Sequence, residues 1–149
     1  MCLDPVKFAA LSKEQDIVFN LPLDGFHFVV GPPGTGKSVV ALHRAARFAK
    51  SKPKLDFVIL TKSRLLKEWT KESSSDLSID RSAMNTYHSW AASWYLKTFK
   101  ARIPQIEPYV YDWLEVEKKI DSLGFEKILN LIIDEGQDLP PSFYKVLPK

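Results

Sequence analysis

Cysteine is almost absent. Cys2 is the only one, so no disulfide can close within the chain, and a lone thiol suits a reducing compartment such as the cytoplasm. No apolar run approaches the ~20 residues of a bilayer-spanning helix, so no membrane partner is expected. The first residues lack a basic stretch followed by an apolar one, and no secretory signal is expected. Histidine is scarce as well. His27 and His43 have no ligand partners at metal-binding spacing, which argues against zinc. No internal repeat or low-complexity tract is present. The excess of positive charge is small, a net +3, but it is unevenly placed. Residues 37–71 hold ten Lys/Arg and two acids, whereas residues 107–138 hold nine acids and three Lys. The basic stretch is either a solvated helix face or a surface for a polyanion.

The 149 residues, 45% of them hydrophobic, suffice for one buried core and one domain at most. Short apolar runs at Phe26–Val30, Phe57–Leu60 and Leu129–Ile133 read as buried strands, and Met84–Thr86 as a short extended piece. Between them the spacing predicts helices from Ser12 to Asn20, Lys37 to about Lys50, Ser63 to about Glu72, Tyr87 to about Phe99, and Tyr109 to Leu123 ended by Gly124. Ala101–Pro108 reads as loop, and Pro140-Pro141 as the start of a last turn or helix. Alternation of this kind predicts an α/β fold, a parallel sheet with helices on both faces.

Two segments carry chemistry. Gly31-Pro32-Pro33-Gly34-Thr35-Gly36-Lys37-Ser38 has the G-x-x-x-x-G-K-[ST] spacing, between an expected strand and an expected helix. Pro32 and Pro33 have no N–H to offer, so a phosphate cradle would use the amides from Gly34 to Ser38, at the positive end of the following helix. Lys37 would reach the β- and γ-phosphates, and the Ser38 hydroxyl would bind Mg²⁺. The alternative is an ordinary Gly/Pro turn. The second segment, Asp134-Glu135-Gly136-Gln137-Asp138, follows an expected strand, where ligands bind in open α/β sheets. Asp134 would hold Mg²⁺ and Glu135 would polarise an attacking water. Its alternative is an acidic turn.

Asp134–Asp138 resembles the D-E-x-Q-D form of motif II in superfamily 1 helicases of the UvrD/Rep type. Leu11-Ser12-Lys13-Glu14-Gln15 is similar to their Q motif, Gly31–Ser38 to motif I, Ile59–Arg64 to motif Ia, and Thr86-Tyr87-His88-Ser89 to motif Ib. The order of the five is that of the family. The resemblance implies a phosphate-loop, RecA-like domain, incomplete, that uses ATP and Mg²⁺ to move on single-stranded nucleic acid, DNA more than RNA, in the cytoplasm or at the nucleoid. It implies that residues 1–25 are a lead-in with Gln15 reading the adenine edge. Residues from about 87 to 127 would be a helical insertion. Gln137 would sense the γ-phosphate, and Thr61, Lys62, Ser63, Arg64, Thr86 and His88 would lie near the strand. It also implies a missing motif III strand, usually placed between the strands of motifs I and II, and a second RecA-like domain as partner in cis or trans.

Local alternatives stand beside these roles. Gln15 is also a capping residue, Thr61 and Ser63 turn or cap residues, and His88 a core histidine. Trp90 and Trp94, four apart, read as an apolar stripe rather than a stacking platform. Two rival functions remain: a non-motor phosphate-loop ATPase that acts as a switch, and a non-hydrolysing module that binds nucleic acid or a partner.

Overall fold

The computed structural model describes residues 11–52, 57–61, 79–124 and 130–147. Helix α1 spans Lys13–Asn20, and its N-terminus carries the expected capping box: the Ser12 hydroxyl accepts from Gln15 N–H and the Gln15 side chain accepts from Ser12 N–H. Helix α2, Lys37–Ser51, starts at the end of the glycine loop and buries Val40, Leu42, Ala45, Ala46 and Phe48. His43 is buried on it, 1% exposed, and burial pushes its imidazole pKa down. The helix expected over residues 63–72 lies outside the described residues.

Three strands form a parallel sheet in the order β2-β1-β5, with β1 at Phe57–Thr61, β2 at Met84–Thr86 and β5 at Asn130–Ile133. Helix α3, Tyr87–Phe99, follows β2 directly, capped by the Thr86 hydroxyl. Helix α4 spans Trp113–Leu123 with Asp112 as its N-cap, and α5 spans Pro141–Val146. Gly124 ends α4 in the left-handed region at φ 55°, as its position after the last apolar residue leads one to expect.

The period-2 alternation of the strands sorts their side chains to opposite faces. Phe57, Ile59, Ile132 and Met84 join Leu42, Ala45 and Ala46 of α2. Val58, Leu60, Leu131 and Ile133 join Tyr87, Trp90, Ala91 and Tyr95 of α3, Trp113, Val116 and Ile120 of α4, and Phe143 of α5. The sheet therefore has helices on both faces, and the second face is dominated by aromatic rings. Trp90 is 8% exposed and stacks on Trp94 at 5.8 Å between ring centroids, so the pair belongs to the packed stripe. Trp113 donates its indole N–H to the Tyr87 hydroxyl inside this cluster.

Two expectations need correction. Phe26–Val30 is not a strand: Phe26 is 76% exposed, Phe28 86% and Val30 95%, and the segment pairs with no strand among the described residues. An apolar run becomes a strand only where a neighbour accepts its backbone bonds, and β5 pairs with β1 alone among the described strands. Second, the supposed loop after α3 and the supposed first turn of α4 form an antiparallel hairpin, β3 at Gln105–Glu107 and β4 at Val110–Tyr111. Tyr109 at its tip takes φ 66°, so helix α4 begins only at Trp113. Residues 105–111 thus form a hairpin between helices α3 and α4.

Candidate functional site

Parallel strands that enter a sheet together end together. Thr61 at the end of β1 is in register with Thr86 at the end of β2, and Leu60 with Ile133 on β5. The backbone N–H of Asp134 donates to the Leu60 carbonyl at 2.9 Å, which extends the β1–β5 ladder by one bond and fixes the carboxylate at the carboxyl edge of the sheet. Asp134, Thr61 and Thr86 therefore share one edge.

The glycine loop reaches the same edge. Gly34 and Gly36 adopt φ 79° and 78°, values that side chains resist, and Gly36 is the N-cap of α2. A Cβ at Gly36 would lie 2.5 Å from Nε2 of Gln15, so any larger residue would displace that carboxamide as well as strain the backbone. Gln15 Nε2 donates to the Thr35 carbonyl at 2.9 Å, and Thr35 Oγ1 to the Pro32 carbonyl at 2.9 Å. Lys37 Nζ folds back on its own loop and donates to the carbonyls of Gly31 and Pro32, each at 2.9 Å. Gln15, Gly31, Pro32, Thr35 and Lys37 thus form one hydrogen-bonded unit.

Loop and carboxylate approach each other at Ser38, whose hydroxyl lies close enough to Asp134 to favour its ionised form. Asp134 is 8% exposed. Burial pushes its carboxyl pKa up and the Glu135 charge adds to that, while Ser38, the Glu135 N–H and the Lys37 charge oppose the shift. Asp134 Oδ1 accepts from Glu135 N–H at 3.2 Å, whereas the buried Oδ2 has no hydrogen-bond partner among the described residues. A buried carboxylate oxygen without a donor is costly unless something cationic meets it. Magnesium binds through one or two carboxylates together with hydroxyls, water and phosphate, and Ser38 with Asp134 fits that donor set. Among the described residues no group of three or more His, Cys, Asp or Glu converges in the manner of an all-protein metal cage.

The turn after Asp134 is held in an unusual conformation. Glu135 takes φ 54°, a region that disfavours side chains, and its carboxylate accepts from Gln137 Nε2 at 2.5 Å. Tyr144 of α5 donates to the Gly136 carbonyl at 2.5 Å, and a Cβ at Gly136 would meet that hydroxyl at 2.7 Å. The aromatic layer thus sets the backbone on which Glu135 and Gln137 stand.

The strand-path residues divide. Thr61 is 3% exposed, and Thr86 accepts from Ser89 N–H at 3.4 Å as the cap of α3. His88 is half-buried, and its Nε2 lies 2.9 Å from the Tyr109 carbonyl. A carbonyl only accepts, so that nitrogen carries the proton. Lys62, Ser63 and Arg64 lie outside the described residues. Sequence reasoning missed Arg44, Arg47, Tyr109 and Tyr144, because each acts through backbone carbonyls at positions that no local spacing signals. No family model, no curated protein and no solved structure matches this chain. No helix among the described residues is long and apolar enough to cross a membrane.

Proposed function

We propose that this chain provides an ATP–Mg²⁺ half-site of a phosphate-loop, RecA-like ATPase related to the UvrD/Rep helicases, coupled to movement on single-stranded nucleic acid. The observation that carries the reading is the approach of Ser38 to Asp134, whose buried Oδ2 has no hydrogen-bond donor among the described residues. Mg²⁺ bound there would neutralise phosphate charge and complete the carboxylate's surroundings. Gly34 to Ser38 would give backbone N–H groups to the phosphates. Lys37 would exchange the carbonyls of Gly31 and Pro32 for β- and γ-phosphate oxygens, a stronger charge-assisted pairing. Glu135 would orient and deprotonate water once Gln137 releases it, and Gln137 would then be available to the γ-phosphate.

The shared edge supports the coupling to nucleic acid. Thr61 and Thr86 end strands of the same sheet as the one that bears Asp134, so a polymer crossing this edge would sense a change at the nucleotide through two peptide ladders. His88 follows Thr86 by two residues and would lie beside the same path, and the resemblance gives Lys62, Ser63 and Arg64 a nucleic-acid role as well. A second RecA-like domain would supply the remaining charge stabilisation, which is worth ~10³–10⁵ in rate for arginine fingers.

Isothermal titration of a non-hydrolysable ATP analogue with Mg²⁺ tests the reading. Lys37→Ala leaves the loop backbone in place and removes hydrogen bonds to charged oxygens worth about 1.5–3 kcal/mol, or roughly 10- to 150-fold in affinity. Equal affinity in variant and parent would refute the assignment.

A further inference from the structure

We propose that Arg44 and Arg47 are positioning residues for base recognition, which they control by fixing helix α1 and hence the Gln15 carboxamide. The inference rests on the ATP-binding reading above. Helix α1 is eight residues long and buries none of them, so apolar packing contributes little to its placement. It has no basic residue in its last turn to meet its own terminal carbonyls. Helix α2 supplies them instead. Arg44 Nη1 donates to the carbonyls of Val18 at 2.9 Å, Phe19 at 3.2 Å and Leu21 at 2.9 Å, and its Nη2 to Pro22 at 2.8 Å. Arg47 Nη1 donates to Phe19 at 2.7 Å and Leu21 at 3.1 Å, and its guanidinium lies 5.5 Å from the centre of the Phe19 ring.

Six bonds from two side chains thus grip one helix end. Burial and the neighbouring Arg47 charge both push the Arg44 pKa down, so the clamp is held against an electrostatic cost. The two Nη atoms of Arg44 span four carbonyls from Val18 to Pro22, whereas a lysine in its place donates from one nitrogen on a differently shaped head. At the other end of α1, Gln15 Nε2 donates to Thr35 and its Oε1 accepts from Ser12 N–H at 2.9 Å. These two bonds define which side of the carboxamide is oxygen and which is nitrogen. Each atom keeps one further site, a lone pair and a hydrogen, which together match a base edge with an adjacent donor and acceptor. Helix α2 begins at the loop and also carries the clamp. Loop and base reader are therefore referred to one rigid element, and without the clamp the reader moves relative to the phosphates.

The test is isothermal titration of the full chain, in Mg²⁺, with a non-hydrolysable ATP analogue, its guanine counterpart and inorganic tripolyphosphate. Arg44→Lys is expected to weaken binding of the adenine analogue about tenfold, equivalent to about one or two hydrogen bonds, and to narrow its advantage over the guanine analogue. Tripolyphosphate affinity should stay unchanged. Arg47→Lys, at a side chain that carries two of the six bonds, should act in the same direction and more weakly. In a Gln15→Ala background Arg44→Lys should have no further effect, since the two act through one group. Parallel decreases for the adenine analogue and tripolyphosphate would mean that Arg44 merely supports the fold, and would overturn the proposal. So would an unchanged preference, or additive effects with Gln15→Ala. If the parent binds none of the three ligands, the ATP-binding reading itself falls; if it binds all three alike, only base recognition does.

Discussion

Asp134 and the glycine loop reach the same edge of the sheet by different means. Asp134 follows a strand bonded to β1 and backed by Leu60, Tyr87 and Phe143. The loop follows Phe26–Val30, an apolar segment that lies exposed and outside the sheet. What fixes the loop comes from behind: Gln15 on Thr35, Lys37 on Gly31 and Pro32, and the arginines of α2 on α1. One half of the proposed site is thus built by peptide ladders and aromatic packing, the other by side-chain hydrogen bonds to backbone carbonyls. The two kinds of support should fail differently.

The largest contrast concerns chemistry against placement. Glu135→Gln should reduce ATP hydrolysis, read as phosphate release, by about 10²–10⁴ while analogue binding persists, because the amide cannot act as a base. Near-normal turnover would remove Glu135 from its role and favour the rival reading, a non-motor ATPase that acts as a switch.

Packing gives the next contrast. Phe143 is 1% exposed and touches Tyr87, Trp90, Trp113 and Tyr144, so Phe143→Ala should cost about 3–5 kcal/mol in denaturant unfolding. Phe28→Ala, at an 86% exposed position, should change stability by less than ~0.5 kcal/mol. Similar costs at both positions would mean that Phe28 is buried in solution and that the two halves are supported alike.

The aromatic half should also respond to alkali. Burial pushes the Tyr87 hydroxyl up from 10.0 to about 12, and burial raises Tyr95, Tyr111 and Tyr144 as well. The folded state holds these protons longer than the unfolded one. Stability is therefore full below the unfolded pKa near 10 and declines as pH rises toward about 12. Thermal melts across that range should show the decline, and Tyr87→Phe should flatten it.

Much of the architecture is legible in sequence where the signal is local. Ser12 with Gln15, the spacing of Tyr87, Trp90, Ala91, Trp94 and Tyr95, and Gly124 each specify an element through residues a few positions apart. Phe26–Val30 misleads because apolar content states a preference for burial and does not supply the neighbouring strand. The hairpin at 105–111 is hidden because Pro104 and Pro108 read as breakers and nothing near Tyr109 signals its left-handed backbone. In the candidate site, residue types and spacing indicate Ser38 and Asp134, but only the fold brings them together.

Smaller effects separate the strands and the surface. β1 is flanked on both sides and β5, among the described strands, on one. Amides of Asn130–Ile133 should exchange faster than those of Phe57–Thr61, and equal protection would indicate that β5 acquires a second neighbour in solution. For single-stranded oligonucleotides, Lys62→Ala with Arg64→Ala should lower the salt slope of binding by about 0.7 for each phosphate no longer neutralised. An unchanged slope would leave the basic stretch as solvated surface.

The most direct test of the proposed half-site is a Mg²⁺ titration at fixed ATP analogue, comparing the parent with Asp134→Asn. The raised pKa makes the ionised carboxyl a liability without a cation, so Asp134→Asn should be at least as stable as the parent at neutral pH. It should lose the Mg²⁺-dependent gain in analogue affinity. In the parent that gain should fade as pH falls through the Asp134 pKa, which burial raises from its ordinary value. If Asp134→Asn keeps the full Mg²⁺ response, the metal does not bind between Ser38 and Asp134, and the two halves do not form one site.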